Sequence, residues 1–243
     1  CLHENEVAEI FETVKEVSKG MVPLIVGTGS NSTEKTIANT RQAQEMGADA
    51  ALVVVPYYNK PTQQGLYLHF KAIAESSTLP LILYNVPGRT ITSLEPETVA
   101  RLSEVKSIIG IKEATGNMEI EKKIISSTPT EFIMLSGDDG TYAEFLKNKG
   151  HGVISVITHV IPDIFVALTN AAKKGQHEEA ATILKKYKNL IDLMFVESNP
   201  IPVKKALQLM GIIESAELRL PLVEMSASGA EKLKLEMLSL GLL

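Results

Sequence analysis

The 243-residue chain contains one cysteine, Cys1, and so little thiol excludes an internal disulfide and suits a reducing compartment, the cytoplasm. It has no basic run and no interleaving of aromatic with basic residues, and its net charge is −5, so nucleic acid is not an expected partner. No apolar stretch approaches the roughly 20 residues that a membrane helix needs, and no signal-peptide pattern opens the chain, so no membrane is expected either. The five histidines, His3, His69, His151, His159 and His177, show no paired ligand spacing. No metal or other cofactor is therefore expected. Asp138-Asp139 could ligate a divalent ion, although helix capping is the other use of such residues. Gly27-Thr28-Gly29-Ser30 resembles half of a phosphate cradle but lacks the lysine of a P-loop. There is no internal repeat, low-complexity tract or linker.

The composition, 44% apolar and 22% charged, is that of a globular chain with a sizeable core. Along it, apolar runs alternate with helical periodicity. Val7, Ile10, Phe11, Val14 and Val17 mark an opening helix that ends near Lys19-Gly20. Six strands are predicted, within residues 23–31, 50–58, 79–87, 107–112, 132–139 and 152–157. Helices are predicted between them, beginning near Ser32, Gln63, Glu95, Met118 and Thr141. After Pro162 the strand signals stop, and helical patterns cover about 163–174, 177–197, 203–209 and 227–240. Six alternations argue for a parallel sheet with helices outside, and the continuous apolar strands fit burial on both faces. The expected organisation is a strand–helix portion over 1–162 with appended helices over 163–243 on the same domain. Two closures remain open at this point: a doubly wound sheet or a (β/α)8 barrel.

In either closure the working residues gather at the carboxyl ends of the strands. The run Ile108-Ile109-Gly110-Ile111 ends in Lys112, followed by Glu113, Ala114, Thr115 and Gly116. An ammonium beside buried apolar neighbours is disfavoured, which makes its lysine a neutral amine able to form a Schiff base. The structural reading is a strand-end lysine that snorkels to water. Tyr84 closes the third strand and suits a proton relay, or a buried ring with its hydroxyl on the backbone. Arg89, on the loop after Pro87-Gly88, suits a carboxylate, or plain solvation. Tyr57-Tyr58 precedes the turn Asn59-Lys60-Pro61 and has the character of an interface pair.

The segments Tyr84-Asn-Val-Pro-Gly-Arg-Thr90, Gly110-Ile-Lys-Glu-Ala-Thr-Gly116, Leu135-Ser-Gly-Asp-Asp139, Gly150-His-Gly-Val-Ile-Ser155 and Asn199-Pro-Ile-Pro-Val-Lys204, with Pro56-Tyr-Tyr-Asn-Lys-Pro-Thr62, resemble the dihydrodipicolinate synthase family in order and over essentially the whole chain. The resemblance implies an α/β TIM (β/α)8 barrel with extra C-terminal helices, assembled as a homotetramer that is a dimer of dimers. It implies a lyase that condenses pyruvate with aspartate semialdehyde in diaminopimelate and lysine biosynthesis, without a cofactor. Lys112 matches the imine-forming lysine, Tyr84 the relay tyrosine, and Tyr58 the tyrosine offered across the dimer interface. Arg89 matches the arginine that takes the semialdehyde's carboxylate, and Gly137 and Ile154 match pyruvate-pocket positions, Ile154 through its carbonyl. Other pyruvate aldolases, of the N-acetylneuraminate lyase and keto-deoxy-sugar-acid types, share the tyrosine and lysine. A non-catalytic scaffold is the reading from another class.

Two departures from the family pattern carry expectations. A paired threonine followed by glycine and glutamate, at the end of the family's second strand, has no counterpart here. The expectation is a barrel lacking its first two strands and first helix, with little activity of its own. Members inhibited by lysine carry a glutamate in the helix after the Gly-Thr-Gly-Ser-Asn turn. Asn31 fits that regulatory site and Tyr57 belongs to the same neighbourhood, but Lys35 stands where the glutamate would be. A cation there repels an ammonium, so feedback by lysine is expected to be weak.

Overall fold

The structure is a computed structural model, and it describes residues 2–243; Cys1 lies outside the described residues. Packing divides them into two compact units, 2–137 and 138–243.

The first unit is a run of strand–helix repeats: α1 (Glu4–Ser18), β1 (Ile25–Gly27), α2 (Thr33–Met46), β2 (Ala50–Val54), α3 (Gln63–Ser76), β3 (Leu81–Asn85), α4 (Pro87–Thr90), α5 (Pro96–Ser103), β4 (Ile108–Glu113), α6 (Met118–Ser127) and β5 (Ile133–Ser136). Every neighbouring strand pair from β1 to β5 is parallel. Particular residues set where the helices start and stop. Ser32 accepts the Lys35 N–H to cap α2, and Gly47, at φ +86°, ends it in the left-handed region. Asn117 accepts the N–H groups of Glu119 and Ile120 to start α6. The core runs through Val53, Val55, Leu66, Phe70, Ile73, Leu81, Leu83, Leu102, Ile111 and Ile124, all fully buried.

The second unit holds α7 (Tyr142–Lys147), β6 (Gly152–Val153), a 3-10 turn (Ile157–His159), α8 (Pro162–Lys173), α9 (His177–Lys186), α10 (Lys188–Leu193), α11 (Ile201–Leu209) and α12 (Ala227–Ser239). Tyr142 and Phe165 stack at 5.6 Å within it, and the Tyr142 hydroxyl meets Thr169 Oγ1 at 2.8 Å.

Several predicted elements differ. The opening helix forms, but its stripe is not a buried face: among its residues only Phe11 is buried, while Ile10, Val14 and Val17 are exposed. The last strand is two residues long rather than six, because Asp139 takes the Val156 and Ile157 N–H groups, each at 3.0 Å, and turns that backbone into a 3-10 helix. The long helix over 177–197 is two helices that break at Tyr187. Arg89 is not on a loop: Val86 accepts the Arg89 and Thr90 N–H groups, and Pro87 starts the helical turn α4. Among the described residues no helix is long and apolar enough to cross a membrane.

Candidate active site

Strand pairing brings the predicted lysine and tyrosine together. Tyr84 of β3 and Lys112 of β4 are directly opposite in the ladder. Residues opposite one another share a face of the sheet, and Lys112 Nζ lies over the Tyr84 ring, 4.3 Å from its centroid. Both are half-buried. Burial pushes the Tyr84 phenol above its ordinary pKa, and the Arg89 guanidinium pulls it part of the way back. Arg89 thus acts electrostatically on the phenol from the end of α4, where its own side chain is exposed.

Gly137 is next to the lysine. A β-carbon on it would lie 2.8 Å from Lys112 Cε and 2.5 Å from Ala114 Cβ, so only glycine leaves the lysine its path. The Gly137 N–H donates to the Glu113 carbonyl at 2.7 Å, which sets the backbone of 137 against the end of β4. After Lys112 the chain is built as a ladder of local hydrogen bonds. Thr115 N–H donates to Glu113 Oε1 at 2.7 Å, Asn117 N–H to Thr115 Oγ1 at 3.1 Å, and Glu119 N–H to Asn117 Oδ1 at 3.0 Å.

Tyr57 and Tyr58 are exposed, Tyr58 to 85%. Tyr58 has φ +78°, and the Asn59 N–H donates across it to the Tyr57 carbonyl at 3.0 Å. That is a γ-turn of the rare, strained hand, on a bulky residue. Asn59 Nδ2 donates to the Asn31 carbonyl at 2.9 Å, which ties this turn to the start of α2. Lys35 is exposed on the first turn of α2. Ile154 belongs to the second unit, half-buried directly after β6, in the segment that Asp139 anchors.

Some polar strand-end residues serve the framework instead. Thr28 Oγ1 meets Thr40 Oγ1 at 2.9 Å, and Thr36 Oγ1 accepts the Ser30 N–H at 3.0 Å. Asp138 accepts the Thr141 N–H at 2.9 Å and its hydroxyl at 2.6 Å, a turn-capping role. Among the described residues no three histidine, cysteine or acidic side chains converge as a metal site. Sequence reasoning gave Glu113 no role, yet it is fully buried and bonded to Asn85 Nδ2 at 2.8 Å. The signal available was the two-residue period of a strand, which turns 113 to the face opposite 112.

A lysine beside a tyrosine, at the carboxyl ends of adjacent parallel strands, sets a group able to act as an amine nucleophile beside one able to move protons, as the Schiff-base class of lyases requires. Within that class the chain belongs to the dihydrodipicolinate synthetase family, whose profile matches residues 1–239. It is 58% identical over 242 residues to the 4-hydroxy-tetrahydrodipicolinate synthase of Bdellovibrio bacteriovorus, covering 100% of this chain and 83% of that protein. It superposes on the dihydrodipicolinate synthase of Thermotoga maritima with a TM-score of 0.97 at 43% identity, covering 99% of this chain and 83% of the other. The Acinetobacter baumannii enzyme, solved in complex with pyruvate, gives 0.96 at 42% identity, over 100% and 83%. These matches support the α/β class with its parallel strands and outer helices. They do not bear out the expectation that two strands and a helix are missing from the front.

Proposed function

We propose that this chain is a 4-hydroxy-tetrahydrodipicolinate synthase of the TIM-barrel type, its six parallel strands being part of such a barrel, and that it uses Lys112 as its nucleophile. The observation that carries the proposal is Lys112 Nζ held over the Tyr84 ring, with Gly137 clearing its path. The Lys112 amine attacks the keto carbon of pyruvate, and loss of water gives an imine. Deprotonation of the methyl carbon gives an enamine, whose carbon attacks the aldehyde of aspartate semialdehyde. Release from the lysine and ring closure follow. Forming and dehydrating the carbinolamine each require a proton to move, and Tyr84 is the phenol beside the amine. Its raised pKa suits a group that holds its proton until the amine needs it. Arg89 takes the semialdehyde's carboxylate. Tyr58 completes the relay from a neighbouring copy in a homotetramer. The cytoplasm, where this biosynthesis belongs, is the proposed location. With Lys35 on the first turn of α2, lysine is a weak effector.

Similarity to synthases over essentially the whole chain favours aspartate semialdehyde over the sugar-acid aldehydes of other pyruvate aldolases. The test is borohydride reduction in the presence of pyruvate, followed by peptide mass analysis. A reduced pyruvyl adduct on Lys112, absent from Lys112→Arg, is the expected result. A protein that stays unmodified at 112 is not this enzyme.

A further inference from the structure

The pairing of β3 with β4 contains an irregularity that bears on how Lys112 comes to face Tyr84. Leu81 pairs with Ile108, but Ile82 pairs with Gly110, so Ile109 is left out of the ladder. Only after this skipped residue does Tyr84 stand opposite Lys112 and Asn85 opposite Glu113. Had the first register continued, Tyr84 would face Ile111 and Asn85 would face Lys112. A slip of one residue turns every side chain of the strand to the other face. In the unbulged register the amine would therefore leave the phenol's side of the sheet. Apolar pattern does not choose between the two, since Ile108, Ile109 and Ile111 are alike.

The next rung carries a feature that does choose. Glu113 is fully buried and accepts from Asn85 Nδ2 at 2.8 Å and from the Thr115 N–H at 2.7 Å. Asn85, also fully buried, turns its Oδ1 to the Leu94 N–H at 3.0 Å. These three bonds join the ends of β3 and β4 to the segments that follow each. In the slipped register Glu113 would keep the local Thr115 N–H but lose Asn85, and a buried carboxylate oxygen left without its donor is disfavoured. We propose that the buried Asn85–Glu113 pair is a register clamp, so that both are positioning residues that turn Lys112 toward Tyr84. The inference rests on the reading of Lys112 as the nucleophile.

The hydrogen-bond pattern supplies its own test. In Glu113→Gln the new amide sets a donor against a donor, at Asn85, Thr115 or Leu94, however the two amides are turned. In the double variant N85D/E113Q all three bonds can form again. The carboxylate introduced at position 85 accepts from the Leu94 N–H and from the amide introduced at position 113, and the oxygen of that amide accepts from the Thr115 N–H. Single-turnover borohydride trapping with pyruvate should slow at least about tenfold in Glu113→Gln and recover at least about threefold of that in the double variant. Amide hydrogen exchange at position 113 and at Ala114 should follow the same order, fast in the single variant and slow again in the double. A single variant within twofold of the parent, or a double variant that is no faster than the single or does not fold, overturns the clamp. If the parent itself is not trapped at Lys112, the functional reading fails, and exchange in the three proteins still decides the clamp.

Discussion

At the scale of single residues, chemistry here depends on what one side chain leaves free for another. Gly137 is the sharpest instance. The sequence resemblance assigns it to the pyruvate pocket, and the geometry gives it a second reason to be glycine, the passage of Lys112. Gly137→Ala puts a methyl 2.8 Å from Cε and 2.5 Å from Ala114 Cβ. Overpacking of this kind typically costs about 1–3 kcal/mol of stability. The lysine's tip is the part able to move, so the larger expected effect is on imine formation, slowed at least about tenfold for a displacement of this order. Trapping rates with pyruvate, measured beside thermal midpoints, check it. A variant that traps as fast as the parent would mean the lysine reaches its position by another route. Lys112, Tyr84 and Gly137 were legible in sequence because each sits at the end of an apolar run or inside a long motif. Glu113 and Asn85 carried no such mark. They are 28 positions apart, and only the register of two strands brings them together.

At the scale of elements, the strand–helix alternation was legible because buried parallel strands are apolar throughout and glycines mark the stops. What escaped were places where one side chain redirects a backbone. Asp139 shortened the predicted last strand, and Val86-Pro87 made a helical turn of the predicted loop. The opening stripe Ile10, Val14, Val17 located its helix but said nothing of burial, since periodicity tells which residues share a face, not whether anything covers it. A pairing between α2 and α3 leads to a pH prediction. His69 of α3 is buried, its Nδ1 lies 2.9 Å from Thr33 Oγ1, and its Nε2 has no hydrogen-bond partner among the described residues. Burial lowers its pKa from 6.5 to about 4. Between those values the unfolded chain binds the proton and the folded one does not. Stability is therefore full above pH 6.5 and falls as the pH drops toward 4, by up to roughly 3 kcal/mol. Urea unfolding of the parent and of His69→Gln at about pH 7.5, 5.5 and 4.5, values chosen to span that window, checks this. The parent should lose stability relative to the variant as pH falls, and parallel curves would show that His69 does not carry the dependence.

At the scale of the whole molecule, the proposed role of Tyr58 in a neighbouring copy would give the strain at that residue a use. A bulky residue in a γ-turn at φ +78° is not compensated by burial within its own unit, since Tyr58 is 85% exposed. Strain of this kind persists where surrounding contacts or function require it. The Asn59–Asn31 bond holds the turn, and the ring points to solvent beside the half-exposed Tyr57. If the phenol completes the proton relay of a neighbour, each site is assembled from two chains, and two inactive variants must repair one another. Tyr58→Phe keeps the ring but lacks the hydroxyl, and should be slower by about 100-fold if the phenol is a general acid–base group. Lys112→Ala lacks the nucleophile and should be inactive. In a mixed pair, one site has Lys112 from the first chain and Tyr58 from the second. Random exchange of equal amounts makes half the pairs mixed, with one intact site each, so about a quarter of the parental activity should return. Mixing under conditions that allow exchange, with turnover followed over time, measures it. Activity that stays at the level of Tyr58→Phe alone would place the proton relay within a single chain and leave the strained turn to another cause.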